Sequence, residues 1–181
     1  MPHTRVPTVK FSITLLRKER VPIHIVRHCV KVYQVANRLC ALIPQDIKIN
    51  CGLVKAGALL HDICKMKAIQ NGGDHAKMGG ELLKNLGFHR VGEIIRQHVF
   101  LDKPIAEYSS LNEEIIVNYA DKRVQHTQFV SLEDRFDDIL KRYGRDIKSI
   151  ERINKLFMEC KSMELMIFDL LPIRPNELMN F

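Results

Sequence analysis

Along this chain apolar residues recur at spacings of three and four far more often than they alternate, and that rhythm predicts helices. From Val21 to Ile43 the positions Ile25, His28, Val32, Val35 and Leu39 form one stripe, with Pro22 as a first-turn residue and Pro44 and Asp46 closing the segment. A second helix is expected from Cys51 to Met66. Its run Leu53-Val54-Lys55-Ala56-Gly57-Ala58-Leu59-Leu60 carries one charge, so it is apolar nearly all round and belongs in the interior. Asn71-Gly72-Gly73 then turns the chain, and Asp74 suits the N-cap of a helix from His75 to about Leu86 that Gly87 ends.

Further helices are expected from Val91 to about Phe100, with Ile94, Ile95 and His98 on one side, and from Leu111 to His126, where Val117, Asp121 and Val124 share a face. Leu132 to Tyr143 is amphipathic and ends at Gly144. A long helix follows from about Ile147 to Leu171, with Ile150, Ile153, Phe157, Cys160 and Ile167 inward and Pro172 and Pro175 closing it. The first twenty residues break the rhythm: Val9, Phe11, Ile13 and Leu15 alternate as in a strand, yet nothing else in the chain offers a strand to pair with. They read as a packing arm. The expected fold class is therefore all-α, divided into an N-terminal arm (1–20), a helical core (21–130) and a C-terminal helical extension packing on it (131–181).

Composition narrows this picture only modestly. At 181 residues and 46% apolar content, one domain with a sizeable core is the default. No apolar run approaches the roughly 18 residues that span a bilayer, and Met1-Pro2-His3-Thr4-Arg5 does not open a secretion signal, so a cytoplasmic protein without a membrane partner is expected. Cys29, Cys40, Cys51, Cys64 and Cys160 form no CxxC pair and suit reduced core residues. The formal charge of +7 favours anionic partners. Its cations are spread along the chain rather than gathered in a tract, which makes nucleic acid the less favoured of these.

The candidate chemistry lies in polar residues on apolar faces. Leu59-Leu60-His61-Asp62 places two metal-binding side chains at the end of the buried helix, where a carboxylate must be paired or coordinated. On that dipeptide alone, a helix-end hydrogen-bonded pair and a metal site are equally good readings. His28, His98 and Asp121 also sit on apolar faces, and His75 lies in a first turn; one shared explanation covers them all, a bound metal. The mixed histidine and carboxylate set favours Fe, Mn, Co, Ni or Zn over Mg or Ca. No Ser-His-Asp arrangement or phosphate-cradling glycine loop competes, and no organic cofactor is implied.

The chain resembles the HD-domain superfamily of metal-dependent phosphohydrolases from roughly His24 to Val124. The matching pieces are Arg27-His28-Cys29-Val30, Ala58-Leu59-Leu60-His61-Asp62-Ile63-Cys64-Lys65, Asp74-His75-Ala76-Lys77-Met78-Gly79, Ile95-Arg96-Gln97-His98 and Asn118-Tyr119-Ala120-Asp121-Lys122. The resemblance implies an HD-domain helical bundle in which His28, His61, Asp62 and Asp121 hold one metal, while His75 and His98 hold a second that Asp62 bridges. It is nearest to small stand-alone HDIG-type proteins, including bacterial hydrolases that cut diadenosine tetraphosphate symmetrically. Cys64 replaces the glycine of the HDIG string, and Val99 follows His98 where some two-metal members carry another histidine.

The implied activity is hydrolysis of a phosphate ester or anhydride of a nucleotide or similar small phosphorylated substrate by a metal-activated water. Asp62 and Lys65 would be catalytic, with Lys65, Arg27 and Lys122 facing the substrate. Two rivals are a one-metal nucleoside monophosphate phosphatase and a non-catalytic module binding a nucleotide or RNA. The long C-terminal helix is free in this reading to cover the core, cap the pocket or pair with another copy in a homo-oligomer.

Overall fold

The computed structural model describes residues 5–180. Its helices are α1 (Val9–Lys18), α2 (Ile23–Leu42), α3 (Cys51–Leu60), α4 (Lys65–Asn71), α5 (His75–Asn85), α6 (His89–Arg96), α7 (Glu113–Lys122), α8 (Leu132–Tyr143) and α9 (Ile147–Phe168). Among the described residues the one sheet is an antiparallel hairpin of β1 (Val124–Gln125) and β2 (Gln128–Phe129). The all-α expectation holds. None of these helices is long and apolar enough to cross a membrane.

The apolar helix α3 is the hub, with Leu53, Val54, Ala56, Gly57, Ala58, Leu59 and Leu60 buried and α1, α2, α6 and α7 packed around it. A helix without a polar face can only sit in the interior, so its neighbours must each turn an apolar stripe towards it. Glycine sets how closely two of the surrounding helices meet. A Cβ on Gly92 of α6 would stand 2.6 Å from the Gly80 carbonyl oxygen of α5, and one on Gly80 would stand 2.8 Å from the Gly92 oxygen. That approach draws the start of α5 and the end of α6 together, where two of the candidate ligands lie.

Several expected boundaries move, and the moves have physical causes. Residues 9–18 form a helix, not the strand suggested by alternation: Thr8 caps it, and Ser12, Leu15 and Leu16 bury one face while Val9 and Phe11 are exposed. Pro22 is the N-cap of α2 rather than a first-turn residue. The helix expected over Cys51–Met66 breaks after Leu60, because Ile63 N–H donates to Leu60 C=O and Lys65 N–H to Asp62 C=O, tightening 61–64 into turns before α4 begins. Helix α6 ends at Arg96, leaving His98 beyond it, and α7 ends at Lys122, after which the chain enters the hairpin. Ile150, expected inward, is 39% exposed, and α9 stops at Phe168 rather than Leu171.

Helices α8 and α9 pack against each other through Phe136 and Phe157, whose ring centroids are 5.2 Å apart, and α9 packs on α7. No disulfide is formed: Cys29, Cys64 and Cys160 are buried thiols, and Cys40 and Cys51 are half-buried.

Candidate metal centre

His28, His61, Asp62, His75, His98 and Asp121 come together at one end of the bundle. His28 lies on α2 and Asp121 on α7; His61 and Asp62 sit in the turn that ends α3; His75 opens α5; His98 follows α6. The imidazole rings run in a chain, with centroids 5.3 Å apart for His28 and His61, 5.0 Å for His61 and His98, and 5.0 Å for His98 and His75. His61 and His98 are fully or almost fully buried, as is Asp62, while His75 is partly open.

Main-chain carbonyls fix the rings. His28 Nδ1 is 3.0 Å from His126 C=O, His61 Nδ1 is 2.9 Å from Ala58 C=O, and His98 Nδ1 is 2.7 Å from Ile95 C=O. A carbonyl can only accept, so each Nδ1 carries the hydrogen and donates, which leaves Nε2 of the neutral ring as a lone pair. Those lone pairs point at one another and at carboxylate oxygens. His28 Nε2 lies 3.0 Å from Asp121 Oδ1; His61 Nε2 lies 3.5 Å from the same oxygen and 3.6 Å from Asp62 Oδ2. On the other side, His75 and His98 Nε2 are 3.1 Å apart and stand 3.4 and 3.7 Å from Asp62 Oδ1.

Around His28 and His61 acceptors face acceptors, which a cation between them would satisfy, and His61 Nε2 is a buried nitrogen without any hydrogen-bond partner. The His75 ring, with no carbonyl on Nδ1 among the described residues, can donate from Nε2 to His98. The donors divide into two groups able to hold an ion, His28–His61–Asp62 and Asp62–His75–His98, sharing Asp62. The residues therefore fit divalent metal, and nitrogen-rich ligation of this kind suits a borderline transition ion.

Burial and neighbouring charge compete across the cluster. Burial works against charging His61, but the Asp62 and Asp121 carboxylates outweigh it and raise its pKa above the usual imidazole value. Burial also opposes ionisation of Asp62, yet His61, His75 and Lys65 hold its carboxyl well below the ordinary range; Lys122, His28 and His61 do the same for Asp121 against its own burial. Burial and the nearby His61 charge push His98 down to about 3.

The basic candidates are distributed around the cluster. Lys65 Nζ donates to Asp62 Oδ2 at 2.7 Å and is about two-fifths exposed. Lys122 is buried and donates to Asp121 Oδ2 at 2.9 Å and to His98 C=O at 3.1 Å, so it braces two elements of the centre. Arg27 is exposed and lines the cleft beside His28.

That cleft has two lobes. One, of about 500 Å³, opens over His75 and His98 and has Val99, Phe100, Ile139 and Leu156 in its walls. The other, of about 420 Å³, lies over His28 and is lined by Arg27, Lys65, Arg135 and Arg142. Asp62, Lys65, Arg135 and Tyr143 border both. The contributions of α8 and α9 were absent from the sequence reading: Arg135 and Arg142 have charged i, i+3 and i+4 spacings about Asp138, but spacing does not say which way the face points. The His126 carbonyl that anchors His28 was equally hidden, because it depends on a hairpin turn in which His126 has φ 56°.

Relatives and a solved structure are similar to this chain to different extents. A relative from Methanocaldococcus jannaschii, the uncharacterized protein MJ0778, is 31% identical over 143 residues, 72% of this chain and 83% of its own length. A tRNA (cytidine(56)-2'-O)-methyltransferase from Picrophilus torridus is 32% identical over 170 residues, 87% of this chain; the chain spans about half (48%) of that longer protein. A crystal structure described as a predicted HD superfamily hydrolase, from an uncultured Thermotogales bacterium, covers 79% of this chain and 93% of its own at 22% identity. Its TM-score of 0.49 is too loose for a comparison of sites. The HD domain model matches residues 25–124, more than half of the chain and the segment that carries all six clustered histidines and aspartates. Helix α2 to the start of the hairpin is thus an HD domain, and the chain belongs to the HD domain family, whose hydrolases are generally metal-dependent phosphohydrolases.

Proposed function

We propose that this protein is a metal-dependent phosphohydrolase that cleaves a phosphate ester or anhydride of a nucleotide or a similar small phosphorylated substrate. A pair of transition metal ions would be held by His28, His61, Asp62 and Asp121 on one side and by Asp62, His75 and His98 on the other. The observation that carries the reading is the set of three histidines whose Nδ1 atoms are tied to backbone carbonyls while their Nε2 lone pairs converge on two carboxylates. A purely structural cluster would satisfy those atoms internally.

Ions held there supply Lewis acidity towards a phosphoryl oxygen and activate water at neutral pH. The side chains do the rest. Asp62 turns one oxygen to each half of the centre, the disposition a bridging carboxylate needs. Lys65, at the lip and spending one donor on Asp62, has N–H groups left for a phosphoryl oxygen. Lys122 positions Asp121 and the His98 turn from below, and Arg27 adds positive charge on the His28 side. Apolar residues along the other lobe exclude water and accept an organic ring.

Elemental analysis of protein purified without chelator or oxygen, followed by a phosphoester panel with that metal restored, tests the proposal. His61→Ala and Asp121→Ala proteins should lose both metal and turnover; full retention of either overturns it. His75→Ala separates two ions from one, since metal content falls only if His75 holds an ion.

A second reading places the scissile phosphate on RNA. It draws on the relative named as a tRNA methyltransferase and on the +7 charge. Binding of RNA would weaken steeply with salt, in proportion to the phosphates contacted, whereas binding of a mononucleotide would not.

A further inference from the structure

Lys65 and Arg135 border both lobes of the cleft. The His28 lobe adds Arg27 and Arg142, whereas the other adds Lys122 and Arg152 with a longer apolar wall, and the pair Arg135 and Arg142 comes from a helix outside the HD match. Over His28, the walls carry Arg27, Lys65, Arg135 and Arg142 against the one carboxylate of Asp62. Arg135 and Arg142 are held as a pair: Arg135 Nη1 donates to Asp138 Oδ2 at 3.3 Å and Arg142 Nε to Asp138 Oδ1 at 2.9 Å. One carboxylate thus anchors two guanidinium groups and leaves a net positive charge.

Donors remain unused on both. Arg135 is four-fifths buried, with its Nε enclosed and without a hydrogen-bond partner and its Nη2 left over. Arg142 sets an Nη2 nitrogen 3.3 Å from His126 Nε2, and Nη1 is left over. His126 in turn holds His28 through its carbonyl, so the arginine pair is in register with the metal centre. Planar guanidinium forks with free N–H groups match a tetrahedral oxyanion.

We propose that Arg135 and Arg142, braced by Asp138, form a subsite for a second phosphate group, so that the substrate carries at least one phosphoryl group beyond the one that reacts. This rests on the phosphohydrolase reading above. The substrate's organic part then lies in the opposite lobe, against Phe100, Ile139 and Leu156. A nucleoside monophosphate would leave the arginine subsite empty.

Calorimetric titration of metal-loaded protein, dialysed free of unbound metal, with inorganic orthophosphate and inorganic tripolyphosphate tests this. The parent should bind tripolyphosphate at least about tenfold more tightly, and the R135Q/R142Q double variant should bring the two affinities within about threefold. D138N, which leaves one neutral acceptor for two arginines, should reduce the preference by less. K141Q removes an exposed cation of the same helix outside both lobes and should keep the parent's preference. Equal affinities in the parent, or a preference that survives the double variant, overturns the inference. Hydrolysis of p-nitrophenyl phosphate by the same preparation reports the metal centre separately. A parent with the preference but no turnover fails the phosphohydrolase reading and supports the subsite; turnover without the preference overturns the subsite alone.

Discussion

Two buried polar clusters meet on α7, and they answer the cost of burying charge in opposite ways. Around Arg123 every donor finds an acceptor. Its Nη1 donates to Glu164 Oε2 at 2.8 Å, its Nε to Val130 C=O at 2.7 Å and its Nη2 to Asn176 Oδ1 at 2.7 Å. Tyr119 O–H also reaches Glu164 Oε2, at 2.7 Å, and Lys161 holds the other oxygen at 2.9 Å. Two residues earlier Asp121 enters a cluster where acceptors oppose acceptors and a histidine nitrogen is left without a partner. A closed network fastens α9 to the core; an open one is a place for something to bind. Burial and charge alone do not tell the two apart, since both are buried and ionic. The balance of donors and acceptors does.

The largest effect should follow from the residue shared by both halves of the open cluster. Asp62→Asn removes a carboxylate that faces His61, His75 and His98, and should cut turnover by at least about 10³-fold, the several kcal/mol that metal assistance supplies. Metal content by elemental analysis should fall with it. Turnover within tenfold of the parent would mean that Asp62 is a structural acid like Glu164, and the contrast between the clusters would collapse.

Breaking the closed cluster should do the reverse. Glu164→Ala strands the fully buried Arg123 guanidinium and should cost about 3–5 kcal/mol in urea unfolding, with metal content per folded chain unchanged. Glu164→Gln, which keeps an acceptor for Tyr119 and Arg123, should cost less. If metal is lost in step with stability, the clusters act as one unit.

How much of this could be read from the chain depends on where each residue gets its orientation. Helix periodicity located His28 and Asp121, because both lie within regular turns on apolar stripes. It located His61, Asp62 and His98 for a partly mistaken reason: each was expected inside a helix, and each lies in the turn that ends one. Polar residues at the end of an apolar run carry the signal either way, whereas the break itself arises from the i, i+3 hydrogen bonds of 60–65, which depend on packing. Arg123 and Glu164 went unread as a pair because they stand 41 residues apart, one just past the end of α7 and the other on α9, and neither interrupts an apolar pattern in a telling way. The α8 arginines were visible only as a charged face. Local periodicity thus finds what points into a helix bundle, and long-range pairing decides what meets there.

Chelation should separate the clusters by pH. If the resident ion is present at 100 to 1,000 times its dissociation constant, its removal should cost about 3–4 kcal/mol of stability. In the metal-free fold the His61 pKa is raised, so its contribution is full below the ordinary imidazole value and is lost as pH rises through the raised one. Metal needs the deprotonated ring, so the stabilisation it brings grows over the same range. His98, held at about 3, is already neutral there and does not reverse the sign. The gap in melting temperature between metal-loaded and chelated protein should therefore widen from about pH 6 to 8, and do so equally in the Glu164→Ala variant. A gap that narrows would show that the proton and the metal do not compete for His61.

The smallest effect probes a difference inside the open cluster. His28, His61 and His98 are each pinned by a backbone carbonyl, but among the described residues no such carbonyl holds the His75 ring. Its place depends on the first turn of α5, where the Asp74 carboxylate accepts from Ala76 N–H at 2.9 Å and Lys77 N–H at 3.2 Å. Asp74→Ala should cost about 1 kcal/mol of stability as a lost N-cap. On the two-ion reading it should also weaken the ion on the His75–His98 side by about 10–100-fold, as loss of an orienting contact does. The ion on the His28–His61 side, whose ligands keep their carbonyl anchors, should stay. Metal titration that finds both ions weakened equally would mean that the two halves share their rigidity through Asp62, and that the cap of α5 braces the whole centre.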